Sequence, residues 1–492
     1  MITLKKPFFA LALLGLLTSC GEDYLDVSPN DSVTEENFYK TETDAVQATT
    51  AAYSELQKGG QYNYALWGIG EIMSDNSYTG GGGGGDGIEF QQLDNFNITP
   101  TNPLVGRLWG GCYVGIGRCN MVIAKVPGIT NMSDAVRKRC IGEAQFLRAK
   151  YYFDLVRAYG DVPLITVPPT SLAEANIPRS PADAVYAQIE QDLMAAIGNL
   201  EGPYTGADLG RANKYSAAGL LAKVYITRGN KAGAAQRARE VINSGRFSLW
   251  PNYADNFKVA NENGRESLFE VQYVSGLNEW TFDGMGSVLN EYQGPRGQGQ
   301  TPQAGYGFNI PENEFVNGYE TGDRRKDATI WKPGDVYPDG RVHPNSLPGS
   351  PSGYGCRKWF VGKTNTNIWD SPLNFPVLRL SEMYLILAEA VGNTPEGLEA
   401  INKVRRRAFG VDINTPAPQY DLTAATPNFT DAVVRERRYE LAFENDRWFD
   451  LKRTGKLPTA LQSKGFKSFN TVLPLPQAER DANRNLTQNP GY

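Results

Sequence analysis

The 492-residue sequence contains one histidine, His343, and five cysteines. No two cysteines form a C-x-x-C pair and no second histidine is present, so the usual ligand patterns of a zinc site are missing. Histidine-based acyl transfer would have to use His343, which lies in the stretch DGRVHPN, where we expect a solvated loop residue. Cys112 and Cys119 are about 10 Å apart along a predicted helix, too far for a disulfide, whereas Cys119 could meet Cys140 across a helix pair.

Positive charge is not in excess either. The chain has 49 basic and 54 acidic residues, which gives a formal net charge of −5, and the two signs are interspersed. Nucleic-acid binding typically requires a basic stripe or patch, so nucleic acid is not an expected partner. After the first twenty residues, no apolar run is long enough to cross a bilayer as a helix.

The first twenty residues combine Lys5-Lys6 with an apolar run over residues 7–17 and the tetrapeptide LTSC ending at Cys20. The run of roughly 11 apolar residues is too short for a mature spanning helix and is typical of a secretory signal. We predict a signal peptide over residues 1–19. LTSC is similar to a bacterial lipobox, which implies several acyl chains on Cys20 and a stable membrane anchor; the alternative is a plain secretory signal with an incidental cysteine.

Residues 42–244 are predicted to form successive helices. The clearest has an N-cap at Ser133 and a stop at Gly160, with two apolar stripes that require burial on two sides. Another is predicted to begin at SPAD, residues 180–183, with serine as N-cap, proline at the first helical position and aspartate placed for a capping box.

Further helices are predicted at about 213–228, 231–244, 376–392, 395–410 and 430–447. The short-linked helices at 213–228 and 231–244 carry alanine at packing positions, which indicates tetratricopeptide-like helical hairpins. In the last of these helices and just beyond it, charges of both signs recur at helical spacing. That spacing favours a solvated or paired face over an acid–base centre.

The segment from about 273 to 370 has a different character. Residues 273–369 contain 16 glycines and 14 aromatic residues, with prolines that would interrupt any long helix. We predict a loop-rich region with short strands, such as one over 267–274. Distant parts of the sequence would then build one helical scaffold that carries an irregular insertion.

Six segments of the chain have the form of family signature motifs. The most specific are GEAQFLRAKYYFDLVRAYGDVPLI (142–165), ERRYELAFENDRWFDLKRTGKL (436–457) and LPLPQAERDANRNLTQNPGY (473–492). The others are EDYLDVSP just after Cys20, NFYKTETDAVQATTAAYSEL and LWGGCYVGIGRCNMVI. All six resemble segments of the SusD/RagB family and occur in the order found there, so the resemblance covers the chain from Cys20 onward.

The resemblance implies a mostly α-helical, SusD-like fold, in which a tetratricopeptide-like hairpin scaffold carries a large loop-rich, short-strand insertion. The implied division is a lipoprotein signal peptide at 1–19, an N-terminal helical region at 20–250 and a C-terminal region at 251–492. The C-terminal region contains the insertion at about 273–370 and closing helices at 376–454.

The resemblance also implies a lipid-anchored protein exposed on the surface of the outer membrane. Such a protein captures a nutrient, usually a glycan, and passes it to a SusC-like TonB-dependent transporter. We predict no catalytic residue, cofactor or metal site in this chain. Two alternatives stay open. One is a glycoside hydrolase, which needs only two carboxylates brought together by folding, and the other is a purely structural surface scaffold.

Sugar binding needs flat apolar surfaces against C–H faces and hydrogen-bonding groups around their edge. Loops expose aromatic side chains most easily. We therefore predict ligand contacts in the insertion at Trp280, Tyr292, Tyr306 and Trp331; Phe282 belongs to the same group of aromatic residues. The alternative interpretation is a small aromatic core that pins the loops together.

A second candidate is IMSDNSYTGGGGGGDG, residues 72–87. No predicted helix and no Gly-Lys-Ser/Thr follows its glycines, so a phosphate cradle is not expected. The segment also has polar residues at the spacing of a calcium-binding loop, but it lacks the bidentate glutamate that such a loop needs. We interpret the glycines as a mobile loop tip, with Asp75, Asn76 and Tyr78 as ligand contacts beside it.

Overall fold

The computed structural model describes residues 38–299, 304–364 and 367–492. The predicted signal peptide and Cys20 lie outside the described residues. Within the described ranges, no helix is both long enough and apolar enough to cross a membrane.

The first half of the described chain is built of helices joined by short connections, as predicted. A single π-helical turn, Gly68–Ile72, follows the second of them. The helices are α1 (Glu42–Gln57), α2 (Ala65–Trp67), α3 (Ile88–Asp94), α4 (Pro103–Lys125), α5 (Asp134–Tyr159), α6 (Leu172–Ala175), α7 (Ala182–Asn199), α8 (Lys214–Thr227) and α9 (Lys231–Ile242).

Helix α5 is the centre of this half. The Ser133 hydroxyl caps it by accepting from the Val136 N–H, and it ends at Gly160, whose φ of +75° favours glycine. Both predicted ends are therefore confirmed. Because α5 packs against α4 on one side and α7 on the other, both of its predicted stripes are buried. The pair α8–α9 forms the predicted helical hairpin, and α4 and α5 also pack against each other.

The start of α7 differs from the prediction. The serine of SPAD does not cap it; the Ala182 N–H instead donates to the Asp161 carboxylate, 2.8 Å away. Asp183, expected to close a capping box, is paired with Arg228 of the neighbouring hairpin. The carboxylate of Asp161, which is distant in the sequence, therefore caps α7 in place of the serine of SPAD.

The second half of the described chain mixes short strands with helices. Its strands form two-stranded antiparallel sheets, one of which includes a strand from the first half. The strands are β1 (Ser77–Gly80), β2 (Ser267–Val271), β3 (Phe308–Pro311), β4 (Ile330–Trp331), β5 (Gly355–Cys356) and β6 (Phe375–Arg379). The helices are α10 (Leu289–Tyr292), α11 (Asn313–Asn317), α12 (Arg325–Thr329), α13 (Leu380–Val391), α14 (Pro395–Ala408), α15 (Phe429–Glu440), α16 (Arg447–Arg453), α17 (Leu457–Ala460) and α18 (Gln477–Ala482).

The two halves share one scaffold. Helix α13 packs against α9 and continues the array through α14 and α15, which confirms that distant parts of the sequence build a single helical body. Strands β2 and β6, which flank the insertion, pair with each other, and β3 of the insertion pairs with β1.

Two predicted helices have different bounds. The helix predicted from residue 376 begins at Leu380, because residues 375–379 form β6 against β2. The helix predicted over 430–447 ends at Glu440, and six residues separate it from α16. Phe443 and Asn445 lie between them with φ of +62° and +67°, a conformation that cannot continue a right-handed helix.

The charged residues at this break are paired, and most are buried rather than solvated. Glu440 accepts hydrogen bonds from Arg379 at 2.9 Å and from Arg407 at 2.5 Å, and Arg325 lies 3.3 Å away. Burial alone would raise the pKa of Glu440, but the three guanidinium groups outweigh it and lower the pKa to about 2. Since these arginines come from α12, β6 and α14, the network ties the insertion to the closing helices.

His343 is not the solvated loop residue that the sequence predicts. Its ring is 1% exposed and lies between the Tyr337 hydroxyl and the Gly353 carbonyl. Burial lowers its pKa. The described cysteines are buried and free, so Cys119 and Cys140 form no disulfide.

Candidate ligand-binding surface

Five aromatic side chains of the insertion lie together, and we call them the aromatic surface: Trp280, Phe282, Tyr292, Tyr306 and Trp369. Trp369 is the central member, with ring centroids 6.2 Å from Trp280, 5.2 Å from Phe282 and 5.4 Å from Tyr292. Trp280 is 58% exposed, and the other four are half-buried. Their partial exposure leaves apolar ring area accessible to a ligand.

Hydrogen bonds and inner aromatic rings fix these side chains. The Trp369 indole Nε1 donates to the Tyr306 hydroxyl over 3.1 Å. From below, Tyr292 stacks on Phe308 with a centroid distance of 6.1 Å and an interplanar angle of 17°. Burial raises the pKa of Tyr292, so its hydroxyl stays protonated and can donate a hydrogen bond.

The aromatic surface is assembled from four separate segments. Trp280 and Phe282 lie in the loop before α10. Tyr292 ends α10, Tyr306 lies just before β3, and Trp369 lies in the connection to β6. The Asp370 carboxylate accepts from the backbone N–H groups of Gly276 and Asn278, at 2.8 and 3.1 Å. This contact holds the loop that carries Trp280 against the connection that carries Trp369.

Charged side chains of both signs border the aromatic surface. The exposed Arg107 guanidinium lies 5.8 Å from the centroid of Phe282. On the other side, Arg296 pairs with Asp86 at 2.6 Å and donates to the Tyr306 carbonyl at 3.0 Å. The exposed Asp283 carboxylate accepts from the Gly59 N–H at 3.1 Å. The arrangement combines flat apolar rings with hydrogen-bonding groups at their rim, as sugar binding requires.

Residues 80–87, which we call the glycine loop, reach the same region because β1 pairs with β3. The Gly81 N–H donates to the Gly307 carbonyl at 2.6 Å. A Cβ placed on Gly81 or Gly87 would come within 2.6 Å of the Phe308 ring, so the loop packs closely on the aromatic cluster. The sequence prediction that no helix follows the glycines is wrong, since α3 begins at Ile88.

The three residues predicted as ligand contacts beside this loop are engaged within the protein. The Asp75 carboxylate pairs with Arg447 at 2.7 Å. Asn76 is fully buried and accepts from Arg438 at 2.9 Å. Tyr78 is half-buried on β1, opposite Ile310. Asp75 and Asn76 therefore fasten β1 to the closing helices, and neither is open to a ligand in this structure.

The predicted aromatic residues are in two places. Trp280, Tyr292 and Tyr306 belong to the aromatic surface. Trp331 instead lies in the interior, 2% exposed, with Arg357 stacked 4.1 Å from its ring centroid. At Trp331 the structure matches the alternative interpretation, an aromatic core that pins loops.

Trp369 and Arg296 are members of the site that the sequence did not single out. Trp369 carries a weak signal, a tryptophan in a loop-rich segment between polar residues. Arg296 carries no sequence signal, because only the fold brings it to Asp86, 210 residues away.

Carboxyl groups with a strongly raised pKa have their hydrogen-bond partners outside the aromatic surface. Burial raises the pKa of Glu71 to about 8 and the pKa of both Glu143 and Glu262 to about 7. Glu262 accepts from the Asn374 N–H, just before β6, at 2.9 Å. Glu71 accepts from the Asn445 N–H beneath β1, and Glu143 pairs with Arg211 beside α5. Within the described ranges, no three His, Cys, Asp or Glu side chains converge in a way that could hold a metal ion.

Comparisons with known proteins cover nearly the whole chain. Residues 23–226 match a family described as starch-binding associating with outer membrane, and residues 227–492 match the SusD family. SusD-like protein P2 of Formosa agariphila is 28% identical over an alignment that covers 99% of this chain and all of that protein.

Solved structures give the same result. A laminarin binding SusD-like protein superposes with a TM-score of 0.80 and 32% identity, covering 92% of this chain and 100% of that one. Surface glycan-binding protein A from Bacteroides fluxus has a TM-score of 0.78 and 25% identity, with 92% and 100% covered. The predicted fold class, a mostly α scaffold with a loop-rich insertion, is confirmed.

Proposed function

The chain belongs to the SusD family, and on that basis we propose that it binds a glycan at its aromatic surface without cleaving it. The observation that carries the proposal is the cluster of Trp280, Phe282, Tyr292, Tyr306 and Trp369, partly exposed together and bordered by polar groups. Stacking against the apolar face of a sugar ring needs such flat surfaces, and the rim supplies partners for its hydroxyls.

We propose an uncharged glucan as the ligand class, with laminarin first. The relative that is 32% identical is named for laminarin binding, and the family matched by residues 23–226 is described as starch-binding. The charges at the rim support an uncharged ligand. Arg296 is neutralised by Asp86 at 2.6 Å, so the rim does not present the run of free positive charge that a polyanionic glycan would need.

A binding role is favoured over hydrolysis by the positions of the carboxyl groups. Glycoside hydrolases need a general acid with a raised pKa beside the scissile bond and a second carboxylate across from it. Of the strongly raised groups, Glu71 and Glu143 are buried elsewhere, and Glu262 accepts from the Asn374 N–H just before β6. At the rim, Asp86 is paired with Arg296, and Glu89 accepts from the Tyr64 hydroxyl.

We further propose that Cys20 carries a lipid anchor, that the protein is exposed on the surface of the outer membrane, and that it delivers the glycan to a SusC-like TonB-dependent transporter. The family description names outer-membrane association, and LTSC has the form of a lipobox. Replacing Cys20→Ala should move the protein out of the outer-membrane fraction. Retention of the variant in that fraction would contradict the anchor.

Calorimetric titration with laminarihexaose, maltohexaose and a charged control, oligogalacturonate, tests the ligand. The same samples are assayed for new reducing ends. Saturable binding of an uncharged glucan without new reducing ends is expected. New reducing ends would favour the hydrolase alternative, and absence of binding across the panel would favour the structural scaffold.

A further inference from the structure

Different positions in the glycine loop need glycine for different reasons. At Gly81 the Phe308 ring leaves no room for a side chain, and at Gly82 a Cβ would lie 2.9 Å from the Asp86 carboxylate. At Gly83 and Gly85 the φ angles of +98° and +91° favour glycine. Steric contact or backbone conformation therefore accounts for each of these four positions.

Neither steric contact nor backbone conformation requires glycine at Gly84. Its φ lies outside the left-handed region, and a Cβ placed on it meets no protein atom within 4 Å. Gly84 and Gly85 are both exposed. Among the described residues, none forms a hydrogen bond with the backbone N–H or carbonyl groups of Gly84 and Gly85. The tip of the loop is thus a bare polar backbone edge that the fold itself does not use.

An ion pair fixes this edge relative to the aromatic surface. The Asp86 carboxylate accepts from the Gly82 N–H at 2.7 Å and from Arg296 at 2.6 Å. The same Arg296 nitrogen donates to the carbonyl of Tyr306 at 3.0 Å. One arginine therefore joins the glycine loop to a member of the aromatic surface.

We propose that the backbone groups of Gly84 and Gly85 hydrogen-bond the hydroxyls of an oligosaccharide lying on the aromatic surface, and that the missing side chain at Gly84 determines how closely the sugar approaches. This inference rests on the proposed function. A sugar stacked by its flat face directs its hydroxyls sideways, and a backbone without side chains can reach them. Asp86 and Arg296 act as positioning residues for this edge.

The test uses two exposed glycines that differ in location. Gly84 and Gly128 both have ordinary φ angles and open space at the Cβ position, but Gly128 follows α4, in a turn that ends that helix. Gly84→Ala, Gly84→Leu and Gly128→Leu are compared with the wild-type protein by thermal unfolding and by calorimetric titration with laminarihexaose. All should unfold at or slightly above the wild-type temperature, since a Cβ meets no protein atom within 4 Å at either position and loss of a glycine restricts the unfolded chain.

Laminarihexaose affinity should fall as the side chain at Gly84 grows. We expect a loss of about tenfold for Gly84→Leu, equivalent to roughly 1.4 kcal/mol, a smaller loss for Gly84→Ala and none for Gly128→Leu. Wild-type affinity in Gly84→Leu, with affinity lost in Trp280→Ala, would overturn the inference and leave the proposed function standing. Absence of wild-type binding to this probe would overturn the inference together with the proposed choice of laminarin.

Discussion

The indole nitrogen of Trp369 donates a hydrogen bond to the hydroxyl of Tyr306 across 3.1 Å, joining two segments that are 63 residues apart in sequence. The bond holds Trp369 at the centre of the aromatic surface, where its ring contacts three other members. Because the indole has only this one donor, Trp369 would meet a sugar through the part of its half-buried ring that stays exposed.

The first prediction concerns the most exposed member of the surface. Trp280→Ala removes a stacking face, and the affinity for the glucan should fall by about tenfold or more, since aromatic contacts dominate such interfaces. The matched control is Trp250→Ala, which removes a half-buried tryptophan stacked near Arg265, outside the aromatic surface. Equal affinity losses in the two variants, measured by calorimetry, would argue against the proposed site.

The second prediction tests the packing of α4 against α5. A Cβ at Gly115 would overlap the Tyr151 ring, whereas one at Gly117 of the same helix meets no atom within 4 Å. Gly115→Ala should lower the free energy of unfolding by about 1–3 kcal/mol through overpacking. Gly117→Ala should raise it by up to about 1 kcal/mol, because alanine has the higher helix propensity.

Denaturant unfolding of both glycine variants supplies the measurement. The two variants should change the free energy of unfolding in opposite directions, whereas helix propensity alone would make both more stable. A stabilised Gly115→Ala protein would show that the two helices are not packed as closely as the structure has them.

The third prediction addresses the buried charge network. Glu440→Gln removes the negative charge that pairs with Arg379 and Arg407, and both arginines are almost fully buried. We expect the free energy of unfolding to fall by about 3–5 kcal/mol. Glu396→Gln removes the partner of Arg239 at an exposed pair and should cost less than about 1 kcal/mol. Similar losses in the two variants would contradict the structural role of the network.

The sequence predicted these elements unevenly. The ends of α5 follow from local rules, because Ser133 caps its own helix and Gly160 stops it. The break between α15 and α16 was missed, since the charges around Glu440 repeat at helical spacing while their true partners, such as Arg379, come from other elements. Tertiary pairing determines the backbone there, and one sequence does not reveal it.

The candidate site shows the same limit. The composition of residues 273–369 indicated an aromatic, loop-rich binding region, and Trp280, Tyr292 and Tyr306 do lie together. Composition cannot distinguish a half-buried ring from an interior one, so Trp331 was included and Trp369 was not. Asp75 was selected beside the glycines, but its partner Arg447 is 372 residues away in the sequence.

The fourth prediction is a pH dependence of stability from Glu71. Burial raises the folded pKa to about 8 from an ordinary value of 4.5. Between those values the folded carboxyl holds a proton that the unfolded one has lost, so the contribution of Glu71 to stability falls as pH rises. The slope is at most about 1.4 kcal/mol per pH unit.

Glu71→Gln cannot ionise and should lack this part of the pH dependence. The free energy of unfolding of the variant minus that of the wild-type protein should therefore be larger at pH 8 than at pH 5. Denaturant unfolding at the two pH values measures this difference. A constant difference between variant and wild type would show that Glu71 titrates normally in the folded protein.

The central claim is that the aromatic surface binds the glycan, and a crystal structure of the protein with laminarihexaose tests it most directly. The account predicts sugar rings stacked on Trp280 and Trp369, with hydroxyls near the Arg296–Asp86 side of the surface and an uncleaved chain. A hexasaccharide bound elsewhere on the molecule, with both tryptophans free of sugar, would contradict it.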